Sequence, residues 1–238
     1  MKRTVVFSLM LLLLSLLAVK PAMAQEGVKI GFRASPLVSW GSVVDDSSKT
    51  KPEGLTTKAG VGFSFDFVFT YGFSETVGFR TGVNIATKSV GSESDFTILD
   101  TRTVSSVKTS FTAIEIPLGL KFRSPEIGDG IYVIGHFGVN PELNLQNRTR
   151  SDLTITDPSG NSVTTSSEVV DSDGINFFTM SFVPGAGVDW EFDWGMLEGA
   201  ITYHWGLLSY TDTRSIADGG TGLRSRLNYI ALNLGYFF

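Results

Sequence analysis

The chain of 238 residues contains no cysteine. That excludes disulfides, thiolate metal sites, cysteine nucleophiles and a lipid-modified N-terminal cysteine. Histidine occurs only at His136 and His204, which leaves little imidazole for metal or acid–base chemistry. Beyond the N-terminus no segment approaches the roughly 18 to 20 continuous apolar residues that a spanning helix needs. An excess of positive charge is missing as well: the formal net charge of −5 argues against nucleic acid as a partner. Stability must therefore come from packing, hydrogen-bond closure or a membrane.

What is plentiful is glycine, at 26 residues, and phenylalanine, at 18, with few helix signals between them. The composition points to an all-β protein. At the N-terminus a basic "MKR" precedes the apolar "TVVFSLMLLLLSLLAV" and the small residues "AMA". Residues 1–24 read as a secretory signal peptide cut between Ala24 and Gln25, with 25–238 as one domain. A membrane anchor is the alternative, against which stand the short apolar run and the small-residue exit.

The stretch "AGVGFSFDFVFTY" sets Phe63, Phe65, Phe67 and Phe69 on one face and Ser64, Asp66 and Val68 on the other. A strand turns successive side chains to opposite faces, so a period of two separates two surroundings. The same alternation runs through "VKIGFRASPLVSW", "VGFRTGVNIATK", "SFTAIEIPLGLKFR", "IYVIGHFGVNPE", "FTMSFVPGAGVDWEF", "LEGAITYHWGLL" and "LNYIALNLGYFF". Eight strands result, joined by connections that alternate long and short. Polar stretches at 41–57, 89–108, 143–175 and 209–225 read as the long loops, all at one end of an up-and-down meander.

An even number of antiparallel strands of about ten residues, unequal loops and a signal peptide are the pattern of an eight-stranded transmembrane β-barrel of the outer membrane. Lipid then rewards the phenylalanine row, and the barrel interior tolerates Asp66. The outer, lipid-facing set is Phe63, Phe65, Phe67, Phe69, Ile114, Ile116, Leu118, Leu232, Leu234, Tyr236 and the terminal Phe238. Pro36, Pro117 and Pro184 cannot donate to a ladder and must sit near rims or at bulges. A secreted β-sandwich is the competing architecture. It would need one soluble core to absorb the apolar face of nearly every strand.

"FTAIEIPLGLKFR" followed by "IYVIGHFGVNPELNL" resembles a strand pair of the PorT-like outer-membrane β-barrel family of Bacteroidetes. "GFRASPLVSWG", "FVPGAGVDWEF" and "ITYHWGLLSYTD" are similar to that family's first, sixth and seventh strands. The resemblance implies a barrel over nearly the whole mature chain. The member that names the family is implicated in protein export by type IX secretion, a role that strand motifs do not carry over.

Parity places Lys29, Arg33, Lys58, Arg80, Lys88, Lys121 and Arg123 inside, against Asp66, Glu115, Asp189, Glu191 and Glu198. In an eight-stranded barrel the interior is just wide enough for side chains to fill. Such mixed charges pair into a plug, because leaving one unpaired at low dielectric is expensive. An ion-selective lumen would need one predominant sign and an open bore. His136 and His204 also face inward, but no nearby ligands complete a metal site. Ser181 and His204 fall inward on neighbouring strands, an arrangement that chance explains among so many serines. "DSDG" at 171–174 lacks the remaining oxygens of a calcium loop and reads as a turn.

No enzyme, metal or cofactor is therefore expected. Three functions stay open: a structural or surface-interaction barrel acting through its long loops, an accessory of protein export, and a narrow, porin-like pore. The expected partners are outer-membrane lipid and, through the loops at the cell surface, secretion-system or surface proteins.

Overall fold

A computed structural model describes residues 27–45, 55–98, 100–170, 174–211 and 223–238. The expected signal peptide at 1–24 and most of the 171–174 turn lie outside the described residues, as do the centres of the first and last long connections. The strands are β1 Val28–Asp45, β2 Leu55–Gly72, β3 Val77–Ile98, β4 Thr101–Glu115, β5 Leu118–Arg123, β6 Ile131–Thr156, β7 Ser162–Val170, β8 Phe178–Phe192, β9 Gly195–Gly206 and β10 Leu223–Phe237. Every pairing is antiparallel, and β10 returns to β1, with Phe32 opposite Tyr236 and Val38 opposite Ile230. β4 and β5 are halves of one barrel strand, since both pair with β3 and with β6. The result is a closed ring of eight strands, with β7 attached to β6 outside it.

The alternation of residue type becomes an alternation of burial. In β9, Met196, Glu198, Ala200, Thr202 and His204 are buried while Leu197, Ile201, Tyr203 and Trp205 are exposed. Short turns close the end that carries the C-terminus. Between β2 and β3 the Ser74 hydroxyl accepts the Val77 amide at 3.1 Å, and the Phe73 amide reaches the Val77 carbonyl at 2.8 Å. Gly130, before β6, has φ of +73°, and a Cβ there would lie 2.4 Å from the Glu191 carbonyl oxygen. Its own carbonyl accepts the Glu191 amide at 2.8 Å, so only glycine suits this turn.

Three departures from the expected meander have physical causes. Pro117, which has no N–H, divides the fourth strand, and the ladder resumes at Leu118. Pro36 lies opposite Phe63, at the edge of a β-bulge between Ala59 and Phe63. The largest departure concerns 89–108 and 143–175, expected as loops. There β3, β4 and β6 continue past the barrel, and with β7 they form a projecting antiparallel sheet. Serine and threonine in alternation resemble a loop by polarity, but threonine and valine suit extended backbone.

The projecting sheet sorts its residues by face. Ser92, Ser94, Phe96, Ser105, Val107, Leu153 and Ile155 continue the inward side, which carries no charge among the described residues. Glu93, Asp95, Arg102, Lys108, Arg148, Arg150, Asp152 and Glu168 continue the outward side. The hydrogen bond from Arg102 holds the Asp95 carboxyl below its usual range, and the Ser166 hydroxyl does the same for Asp152.

Candidate functional site

The charged side chains inside the ring form two layers between apolar ends. Val68, Met196 and Phe237 pack near the short turns. Val90, Phe111 and Tyr210 pack beneath the projecting sheet, with the Phe111 and Tyr210 rings edge to face at 5.2 Å.

In the layer nearer the short turns, Glu198 is the centre. Arg80 grips it with both terminal nitrogens, Lys121 Nζ lies 2.8 Å from Oε2, and Arg33 Nη1 stands 3.9 Å from Oε1. Lys121 also meets Asp189 at 2.7 Å, and Arg33 pairs with Asp66. Three cations thus face three carboxylates, all buried. Towards the rim, Glu191 receives Lys29 at 2.8 Å and Arg123 at 2.6 Å, in a half-buried set.

In the other layer a single cation among the described residues, Lys88, lies 2.6 Å from both Glu115 and Glu142. Neutral donors answer the extra carboxylate. The amides of Asn84 and Asn140 reach Glu115 at 2.8 and 2.7 Å, and the Tyr229 hydroxyl reaches it at 3.1 Å. Thr179 and Ser181 donate to Glu142 at 3.3 and 3.4 Å. His204 stacks on Tyr229 with centroids 3.8 Å apart. A cavity of about 50 Å³ separates the layers, lined in part by Arg80, Asn84, His136, Asn140 and His204. Roughly three waters would fit such a space.

Lys29, Arg33, Asp66, Arg80, Lys88, Glu115, Lys121, Arg123, Asp189, Glu191 and Glu198 all enter these contacts. Lys58 does not. The bulge between Ala59 and Phe63 shifts the register by one residue, so the parity of β2 inverts there. Lys58 falls opposite Gly91 on the outer face, with its side chain 53% exposed and paired to Glu93. Glu142, at 4% exposure, escapes sequence reasoning because the Pro141–Glu142 pair, followed by a polar stretch, reads as the end of the strand. The even-numbered series Tyr132, His136, Asn140 would have placed it inside.

On the outer face Phe63, Phe65, Leu118, Leu232, Leu234 and Phe238 are exposed, and Phe67, Phe69, Ile114, Ile116 and Tyr236 are partly so. Ser181 contacts Glu142 while His204 contacts Thr202, so the imagined serine–histidine pair does not form. Among the described residues no cluster of three or more His, Asp or Glu side chains suits a metal ion.

A family profile described as an outer membrane protein beta-barrel domain matches residues 20–212. No curated protein matches the chain. Among solved structures, OprG of Pseudomonas aeruginosa is similar at 13% identity, over 90% of this chain and 97% of that one, with a TM-score of 0.46. Neisserial surface protein A shares 12% identity over 89% of this chain and 98% of its own, with a TM-score of 0.41. Ail of Yersinia pestis, solved with the heparin analogue sucrose octasulfate, shares 13% identity over 89% and 99%, with a TM-score of 0.33. None of these likenesses bears on function. The closed ring of antiparallel strands, and a profile spanning more than half of the residues, establish that the chain belongs to the outer membrane protein beta-barrel domain family.

Proposed function

We propose that this protein is a non-conducting barrel of the outer membrane, exported by a cleaved signal peptide, that binds a surface partner through its projecting sheet. The observation that carries this reading is the edge of β7. Among the described residues β7 pairs only with β6, and all nine of its residues are exposed. Edge strands are usually blunted by proline, lysine or a bulge, because their unpaired N–H and C=O groups template another strand. "SVTTSSEVV" carries no proline or lysine and is rich in β-branched residues. An extended segment of a partner protein would add to this edge by main-chain hydrogen bonding. The ion-paired interior supports the non-conducting part of the reading, since it offers no wide bore of one sign.

The test is to replace residues 150–168 by a tight turn and compare cross-linked partners on cells. The shortened chain should keep its unheated gel mobility, since its barrel ladders are untouched, and lose the partner. Capture of the same protein by both chains would overturn the proposal. Co-purification with export proteins through the periplasmic turns would move the reading to an accessory of protein export.

A further inference from the structure

The outward rows of the sheet can be followed upward from the apolar band. Ile85, Ile114 and Leu143 form one continuous apolar row. Next come Thr87, Thr112 and Gln146, then Ser89, Ser110 and Arg148. The row above is Lys58, Gly91, Lys108, Arg150 and Glu168. At about 3.4 Å per residue and a tilt near 40°, the two basic rows stand roughly 10 and 15 Å beyond Ile114 along the membrane normal. The headgroup layer begins within that span, and long basic side chains reach back toward it.

The sign of charge changes with height. Among the described residues Lys58, Lys108, Arg148 and Arg150 share the lower rows with one carboxylate, Glu168, whereas the rows above hold Glu93, Asp95 and Asp152 against Arg102. Across the barrel, Arg226 is exposed four residues beyond the outward Ile230. A solvated face needs charge, but it does not need charges sorted by depth.

The present partners are weak. Arg148 lies 3.3 Å from Glu168 and Arg150 lies 3.3 Å from Asp152, with both arginines about 60% exposed, and the half-exposed Lys58 pairs with Glu93. Exposed pairs of this kind contribute little. Among the described residues Lys108 has no carboxylate within ion-pair distance. A phosphate likewise offers arginine a bidentate, charge-assisted partner, with more acceptor oxygens than a carboxylate.

We infer that these rows bind the phosphates of the phosphorylated glycolipid of the outer leaflet. The inference rests on the reading that the sheet projects from the cell surface. It fixes the depth and rotation of the barrel in the membrane, and it sets the β7 edge above the lipid.

The test uses the full barrel in detergent micelles doped with bisphosphorylated lipid A, its dephosphorylated form or phosphatidylglycerol. Native mass spectrometry counts the lipid retained. The intact protein should retain the bisphosphorylated form at least about tenfold over the dephosphorylated one, and less as salt rises. Replacing Lys58, Lys108, Arg148 and Arg150 by Gln should bring retention to the dephosphorylated level with unheated gel mobility unchanged. The milder pair Lys108→Gln and Arg150→Gln should fall between, and Arg102→Gln at the far end of the sheet should change nothing. Equal retention of the two lipid A forms, or a fourfold variant that behaves as the intact chain, would sink the inference. Phosphatidylglycerol retained as well as lipid A would sink the outer-leaflet assignment. Labelling of Ser166→Cys on whole cells reads the orientation separately, so its failure and that of the lipid site are distinct.

Discussion

Lys121 and Arg102 both hold carboxylates, Lys121 at 2.7 Å and Arg102 at 2.5 Å, yet their side chains are 7% and 61% exposed. The first belongs to the buried layer around Glu198, the second to the open face of the projecting sheet. Inside the ring, desolvation makes every charge depend on its partner, so the pairs act as one network. On the sheet, water and salt stand in for any partner that is lost. One chemistry therefore fixes structure in the barrel and leaves the sheet free to exchange its contacts.

The sharpest way to break this comparison is to remove the centre of the inner network. Glu198→Ala strands Arg80, leaves Lys121 with Asp189 alone and weakens the hold on Arg33, and should destabilise the barrel by about 3–5 kcal/mol. Urea unfolding in detergent reads the loss, and the unheated form should shift toward the boiled mobility. Arg102→Ala, the matching removal on the sheet, should leave the same curve unmoved. Equal effects would mean that burial does not govern these pairs.

A second test compares the inner network with the outer wall. Phe65→Arg places a charge on the apolar face and should cost about 2–4 kcal/mol if that row lies at the bilayer midplane. A tolerated arginine would place Phe65 away from lipid. A third asks whether the network seals the bore. In a planar bilayer the intact protein should give no stable single-channel current, and steady conductance would contradict the paired interior.

How much of this was legible beforehand depends on the residue. The outer row from Phe63 to Phe69 and the inner pair Asp66 and Glu198 follow from a period of two, which backbone geometry enforces. Lys58 did not, because a bulge of one residue inverts parity and nothing in "LTTKAGVG" announces it. The projecting sheet was hidden by its own composition. "SESDFT" already alternates charged and uncharged residues, but a polar strand outside lipid lacks the apolar face that marks a strand in sequence. The mutual arrangement of the buried ions was also out of reach. Arg80 and Glu198 lie 118 positions apart and meet only because the ring closes.

The smallest expected effect concerns the open face alone. Asp95 is held below the ordinary aspartate value of 3.8 chiefly by a hydrogen bond from Arg102. Asp152 is held down chiefly by Ser166, and Asp157 by the side chain and backbone of Asn161. A carboxyl whose pKa is lower in the folded state than in the unfolded one favours the folded state fully above the unfolded value. That contribution is lost as pH falls from about the ordinary value through the lowered one. Acid should therefore loosen the two hairpin ends, between Asp95 and Arg102 and between Asp152 and Ser166, only below pH 3.8. The Asn161 amide, which donates to Asp157 at 2.8 Å, is the reporter. Its nuclear magnetic resonance shift in micelles should hold steady down to that pH and then move. Asp157→Asn should already show the moved shift at neutral pH. A titration near the ordinary value would mean that the Asn161 contact contributes nothing to the turn. The β6–β7 hairpin would then owe its shape to its ladder alone.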